Sequence, residues 1–437
     1  MFRLHRAAAI AALAVVSCAP APASARPNVV VIVMDTTRAD RCSVTGYARP
    51  TTPHLEAFAR DAVTFRQAWS PAGWTAPAHA SLFTGLRPEH HGLISGRGSY
   101  LDVMRPTLAE RLWNMGYATA CFTNNANVSP ESGLTRGFGR TDLLYVDDHR
   151  PYPWAPATHE AALAWALEQE RHGKPFFLFV NDMEPHLPYT PPAADEAAFL
   201  RERPPAAALA DARAFDNPRT LQFCAGVLEL DDPYLRTLSD LYDAEIASLD
   251  REIGSLLDGL RDAGLLDRTM FVIAGDHGEM LGEHHMVAHL FSLHRAVRHV
   301  PLIVRWPGTF DGGRVVDSVV RLEDVFPTVL EVCGAPVPDG LDGASLARGL
   351  DGRIARAIQG DAAPSLPAME RTLPGVDLRP MTVRTDAVFD GHLHLIARAD
   401  GRTELYDIDG DPEETRNLAS ERPADVERLK ALIPLDR

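Results

Sequence analysis

Lysine is almost absent from this chain of 437 residues: Lys174 and Lys430 are the two it has, and arginine supplies the rest of its 43 basic side chains. An anion bound here must therefore be met by arginine, histidine, asparagine or backbone N–H groups. Positive charge is in deficit overall, with 59 acidic side chains and a net charge of −16. That balance argues against a nucleic-acid backbone as partner. It does not exclude a small anionic substrate, because a local site can be cationic inside an acidic protein. Cysteine is scarce as well. None of the five cysteines stands in a Cys-x-x-Cys pair, which argues against a zinc–thiolate centre. The wide spacing of Cys42, Cys121, Cys224 and Cys333 leaves either buried free thiols or one disulfide. No internal repeat is present, and past residue 17 no apolar run is long enough to span a bilayer.

What is there begins with an export signal. Arg3 and Arg6 precede an apolar stretch at residues 7–17 that is too short for a stop-transfer helix. Two endings compete. Val15-Val16-Ser17-Cys18 resembles a bacterial lipobox, with Cys18 acylated as the first mature residue. Ala23-Ser24-Ala25 is a small-residue cleavage site for ordinary secretion. The lipobox is the favoured ending, and its cleavage would bring the net charge to −18 by removing two arginines and no acid. Either ending predicts a mature protein outside the cytoplasm, periplasmic or anchored at the outer membrane as a bacterial lipoprotein.

Buried strands are predicted at 28–34, 176–180, 270–274 and 300–304, each a continuous β-branched or aromatic run. A shorter strand is predicted at 118–122. Helices are predicted at 55–67, 107–115, 159–171 and 236–263, and residues 191–234 read as an irregular surface excursion. Alternating strand and helix implies an α/β fold with a mostly parallel sheet. The pattern changes near residue 350, to loops, then short antiparallel strands over 381–408, then a helix over 422–433. The predicted organisation is a signal and tether at 1–26, a catalytic domain at 27–350 and an antiparallel C-terminal subdomain at 351–437.

Functional groups of such sheets sit just past the strand C-termini. Asp35 follows the first strand, and Gly275-Asp276-His277-Gly278-Glu279 follows the third buried one. Two carboxylates and an imidazole at neighbouring strand ends suit a divalent cation of the calcium, manganese or zinc kind. In Trp74-Thr75-Ala76-Pro77-Ala78-His79, Pro77 fits the first turn of a helix that ends at Gly85. Thr75 then lies at or beside the N-cap. Free N–H groups there stabilise a threonine alkoxide and a bound anion. His79, four residues on, shares its face.

Taken in order, these segments resemble the sulfatase family of the alkaline phosphatase superfamily over nearly the whole mature length. Val31-Ile32-Val33-Met34-Asp35-Thr36-Thr37-Arg38-Ala39-Asp40 resembles the opening strand and metal motif. Residues 75–85 are similar to the catalytic segment, and Glu184-Pro185-His186-Leu187-Pro188-Tyr189 to its Pro-His-x-Pro-Tyr segment. Residues 275–304, Asp324-Val325-Phe326-Pro327-Thr328, and Leu405-Tyr406-Asp407 through Asn417-Leu418 are similar to later markers. The resemblance implies an alkaline-phosphatase-like sandwich. It implies one divalent cation on Asp35, Asp276 and His277, with calcium expected first and manganese or zinc as alternatives. It places the nucleophile at position 75, and His186 and His289 against the transferred group.

Four departures matter. Threonine carries a methyl group on Cβ and cannot be oxidised to the formylglycine aldehyde of a true sulfatase, so Thr75 must attack directly. His79 replaces the motif arginine. Thr36 stands where a second metal aspartate is usual. Thr123-Asn124-Asn125-Ala126-Asn127 stands where a Lys-x-His segment is expected. With both lysines predicted far from the site, the anion cradle must use histidine, arginine and asparagine, which predicts strong pH dependence near neutrality. Asp182, His186 and His289 also resemble the second metal site of two-metal relatives, although Asp182 reads better as a solvated loop acid. His90, His91, His284, His285 and His294 read as loop or surface residues.

The expected activity is hydrolysis of a sulfate or phosphate ester, on a small-molecule, glycan or lipid substrate. His79 and His186 would stabilise charge on the transferred group and His289 would protonate the leaving oxygen. The alternatives are a phospho-group transferase acting on a lipid or glycan acceptor, and an inactive lipid-anchored binding protein. Contact with a membrane is expected only through the N-terminal lipid.

Overall fold

The computed structural model describes residues 26–94, 99–146, 154–289, 291–360 and 365–433. The export signal, Cys18 and part of the loop at 123–157 therefore lie outside the described residues. In chain order the strands are β1 (Asn28–Met34), β2 (Val63–Trp69), β3 (Ala118–Thr123), β4 (Arg140–Leu143), β5 (Phe176–Asp182), β6 (Thr269–Gly275), β7 (Met280–Leu281), β8 (Val287–Ala288), β9 (His299–Val300), β10 (Leu302–Arg305), β11 (Arg314–Arg321), β12 (Ala355–Gln359), β13 (Thr385–Phe389), β14 (Leu393–Arg398) and β15 (Thr403–Asp407). The helices begin with α1 (Pro53–Ala59), α2 (Thr75–Thr84), α3 (Pro88–His91), α4 (Leu108–Asn114), α5 (Ala155–Arg171), α6 (Ala193–Phe199) and α7 (Ala206–Arg213). They continue with α8 (Asn217–Cys224), α9 (Asp232–Asp262), α10 (Arg295–Arg298), α11 (Val325–Val332), α12 (Leu366–Thr372), α13 (Arg379–Thr382) and α14 (Pro423–Lys430).

The large sheet runs β11-β2-β10-β6-β1-β5-β3-β4, with β9 paired to β2. It is mostly parallel, as expected. The exceptions are β10, antiparallel to both β2 and β6, and β9, antiparallel to β2. β1 lies in the middle, and every one of its residues is buried. Its pleat divides the core. Val29, Val31 and Val33 pack with Leu82 and Phe83 of α2 and Phe326 of α11. Val30, Ile32 and Met34 pack with Trp165 of α5 and Ile253 of α9 on the other face. A strand apolar on both faces needs helices on both, and this three-layer arrangement supplies them.

The C-terminal strands form an antiparallel sheet, β12-β13-β14-β15. One face packs Phe389 and Ile396 against Trp69, Leu293 and Val319 of the main body, and α14 covers the other with Val426 and Leu429.

Three expectations need correction. The predicted helix at 55–67 ends at Ala59, and the β-branched and aromatic run from Val63 is strand β2. The stretch at 191–234 holds three helices, because its prolines start helices: Pro192 and Pro205 are N-caps and Pro218 falls in a first turn. The single strand expected at 300–304 divides between β9, paired with β2, and β10, antiparallel to β6. Cys42, Cys121, Cys224 and Cys333 are free thiols, three of them buried. Among the described residues, no helix is long and apolar enough to cross a membrane.

Candidate active site

Sheet register brings the chemistry together. Met34 pairs with Asp182 of β5 and with Gly275 of β6, and Thr123 of β3 pairs with Asn181. The segments carrying Asp35, Asn125, Asp182 and Asp276-His277 therefore leave the sheet side by side at one edge. Lys174 begins at the opposite end, exposed in a cavity it shares with Arg26 and Asn28. As expected, it is remote from the site.

Asp35, Asp276 and His277 are buried, and one ligand atom from each lies within 4.8 Å of the others. Thr36 adopts a left-handed conformation at φ 53°, unusual for a β-branched residue. That turn aims its N–H at Asp276 Oδ1, 3.1 Å away, and the Tyr242 hydroxyl holds its carbonyl at 2.7 Å. The N–H of His277 donates to the same carboxylate oxygen at 2.8 Å. Asp35 Oδ1, Asp276 Oδ2 and the Thr36 hydroxyl are buried with no hydrogen-bond partner. Burial pushes the Asp35 carboxyl up to about 7, against the lowering hydrogen bond from Asn125. Burial and then the charge of Asp35 push Asp276 well above the usual carboxylate range. Two buried acids that cannot both ionise unaided, with oxygens left open, fit a divalent cation as the missing partner.

Thr75 opens α2, and no side chain caps that end of the helix. Its hydroxyl lies 3.3 Å from His277 Nε2 and 3.3 Å from Asn125 Nδ2. The Asn125 amide also donates to Asp35 Oδ2. The Thr123 hydroxyl and the Asn127 N–H, at 3.1 and 2.8 Å, fix Asn125 in place. Sequence reading had placed an asparagine-rich segment here without choosing among its members.

His79 does share the face of Thr75. Its Nδ1 lies 2.9 Å from the Thr75 carbonyl and 3.5 Å from Asp276 Oδ2, and its ring packs edge-on to Phe83 and Phe179. Burial holds its pKa down at about 4. His277 and His289 are also held well below the usual imidazole range by burial. Burial thus opposes a charge on His79 and His289, two of the histidines from which pH dependence near neutrality is expected.

A second group adjoins the first. One ligand atom each from His186, Glu279 and His289 lies within 4.8 Å of the others. The His289 ring sits 4.4 Å from that of His277 and 5.2 Å from that of His186, between centroids. His289 Nδ1 meets Glu279 Oε1 at 3.1 Å, and the Tyr189 hydroxyl donates to the other oxygen. Burial pushes Glu279 up to about 7. Glu279 and Tyr189 are residues to which sequence reading gave no role, although both stand inside quoted motifs.

Asp182 is not the solvated acid expected. It is fully buried at the end of β5 and bonded at 2.9 Å to His159 Nε2 of α5. Burial opposes a charge on His159, but Asp182 outweighs it and raises the pKa. Asp182 is absent from the His186 group, where Glu279 stands instead. Two histidines assigned to the surface are buried as well. His91 Nε2 meets the Ser81 hydroxyl at 3.1 Å, and His294 lies between Ser292 and Glu404 at 2.7 and 3.0 Å.

The sulfatase family model matches residues 27–335. The chain belongs to the sulfatase family, as a hydrolase of the alkaline phosphatase superfamily. Among its relatives, the arylsulfatase of Clostridium perfringens (strain 13 / Type A) is 25% identical over 377 residues, covering 74% of this chain and 78% of that protein. The multifunctional alkaline phosphatase superfamily protein PehA of Trinickia caryophylli is 26% identical over 394 residues, covering 74% and 76%. Among solved structures, the phosphonate monoester hydrolase of Agrobacterium radiobacter superposes with a TM-score of 0.74 at 24% identity, over 93% of this chain and 95% of that one. That likeness establishes the shared fold.

Proposed function

We propose that the chain hydrolyses sulfate or phosphate esters with unmodified Thr75 as nucleophile, beside one divalent cation held by Asp35, Asp276 and His277. The observation that carries this is the hydroxyl of Thr75 at the open end of α2, 3.3 Å from His277 Nε2 and beside two buried carboxylate oxygens with no partner. A cation there supplies a lowered pKa for the hydroxyl and charge neutralisation for a nonbridging oxygen. Calcium is the first candidate, then manganese or zinc.

Thr75 gives up its hydroxyl proton to water and attacks in line, its oxygen bonding to phosphorus or sulfur as the bond to the leaving oxygen breaks. The N–H groups at the start of α2, with Asn125 and His186, meet the equatorial oxygens as charge develops. His79 steadies the first helical turn from beneath, through the Thr75 carbonyl. His289, oriented by Glu279, hydrogen-bonds the leaving oxygen and in its imidazolium form delivers a proton to it. Water then opens the covalent ester and restores the threonine. The export signal supports a periplasmic or outer-membrane location, with Cys18 as the site of the lipid.

The test is a panel of aryl sulfates, phosphate monoesters, phosphodiesters and phosphonates assayed with added calcium, manganese or zinc. At least one class should turn over. Thr75→Ala should lose roughly 10³-fold or more in rate while keeping its melting temperature. A Thr75→Ala protein as active as the parent would overturn the reading.

A further inference from the structure

The end of the sheet remote from Thr75 holds unpaired positive charge in an otherwise acidic chain. β1 runs seven residues from Asn28 to the edge where Asp35 stands, roughly 20 Å at about 3.3 Å per residue. At its start lies a cavity of about 570 Å³ whose wall includes Arg26, Lys174, Arg268, Glu170, Asp267 and Trp306. Both carboxylates there are taken. Glu170 pairs with Arg268 at 2.6 Å, and Asp267 with Arg305 at 2.5 Å. Among the described residues, no carboxylate pairs with Arg26 or Lys174, and both are exposed. A guanidinium fork and an ammonium left over in one cavity suit a phosphate diester.

An exposed indole adjoins them. The Arg26 guanidinium donates to the Met115 carbonyl, just past α4. Trp113, in the last turn of that helix, is 53% exposed. Indole rings collect at the level of lipid headgroups, where the ring is buried and the N–H stays wet.

Arg26 stands eight residues after Cys18, roughly 28 Å at full extension. A lipid on Cys18 therefore keeps this end of the sheet within that distance of the bilayer, whatever path residues 19–25 take. Each cation beside an anionic leaflet is worth roughly five-fold in binding. Two of them are weak at physiological salt, but a short tether supplies an effective concentration on the millimolar scale. We propose that this end seats on the anionic phosphodiester headgroups of the bilayer that holds the Cys18 lipid, with a phosphate between Arg26 and Lys174 and the Trp113 ring at headgroup level. This rests on the reading of Cys18 as the lipidated residue. The same surface repels the acidic remainder of the chain, which fixes the orientation. The Thr75 site then stands at the far end of the sheet. It takes its esters from the aqueous side, and the lipids of its own membrane stay out of reach.

The scarcity of lysine makes the test direct. The acylated mature chain is inserted into preformed vesicles of phosphatidylcholine, alone or with phosphatidylglycerol. It is then treated with a water-soluble amine-acylating reagent and read by peptide mass spectrometry. Lys430, on α14 with its side chain 39% exposed, is the internal reference. Labelling of Lys174 relative to Lys430 should fall roughly five-fold or more in the phosphatidylglycerol vesicles. Raising salt to about 0.5 M should restore it. Arg26→Glu and Trp113→Ser, both at exposed side chains, should each recover most of the labelling. Lys174 equally reactive in both kinds of vesicle, or protection untouched by either variant, would overturn the proposal. The mass of the N-terminal peptide tests the anchor separately. With no acyl group on Cys18, protection of Lys174 by phosphatidylglycerol vesicles at low salt, where screening is weakest, would uphold the face and sink the anchor. No protection there would overturn both.

Discussion

Among the buried groups of carboxylate and histidine in the described residues, two are built to opposite rules. At the junction with the C-terminal sheet, Glu414 accepts from His394 Nδ1 with one oxygen and from the Arg295 N–H at 2.7 Å with the other. His394 Nε2 meets Arg298 at 3.0 Å, and the Arg298 guanidinium lies over the Trp69 ring. Burial works against the Glu414 charge, but His394 outweighs it and the pKa is lowered. At the sheet edge the acids outnumber their partners. Asp35 Oδ1 and Asp276 Oδ2 are open, and both carboxyls are raised. Both oxygens of Glu414 are thus bonded, whereas one oxygen each of Asp35 and Asp276 is left for a ligand.

That contrast can be broken by mutation. Asp276→Asn should cost about 10³-fold or more in turnover by removing a ligand of the cation, yet the chelated protein should melt no lower, because one of two repelling acids is gone. Assay and calorimetry in parallel decide this. Glu414→Ala should do the reverse. It strands His394 and Arg298 and should destabilise by about 3–5 kcal/mol, read by denaturant unfolding, while kcat of the folded fraction stays near that of the parent. Chelation of the cation from the parent protein should lower stability by about 2–3 kcal/mol if the ion was present near a hundred times its dissociation constant. The same treatment should leave the melting temperature of Asp276→Asn unmoved. Glu279→Gln should be the mildest change, about 10- to 100-fold in rate, because it loosens His289 without removing a reacting group. A loss as deep as that of Asp276→Asn would place Glu279 among the ligands.

The layered fold was legible because its strands are apolar on both faces. The run from Val29 to Met34 has no other use than a buried parallel strand. Asp35, Asp276 and His277 were legible because each immediately follows such a strand, and Thr75 because Pro77 and Gly85 bracket its helix. Burial of single polar residues was not legible. Asp182 ends a strand just as Asp35 does, and nothing local says that His159, on a helix 23 residues earlier, will neutralise it. The depth of His79 was not legible for the same reason: it depends on Phe83 of its own helix and on Phe179 of β5. Proline misled at 191–234, where it starts helices instead of breaking them. Glu279 could have been found, since it shares the strand-end motif with Asp276 and His277.

The most direct test is to quench the enzyme during turnover of its best ester and map the covalent adduct by peptide mass spectrometry. The account predicts a sulfo- or phospho-ester on Thr75, absent from Thr75→Ala and lost when the quench is delayed past substrate exhaustion. Turnover with no adduct on Thr75, or with the adduct on another residue, would contradict it.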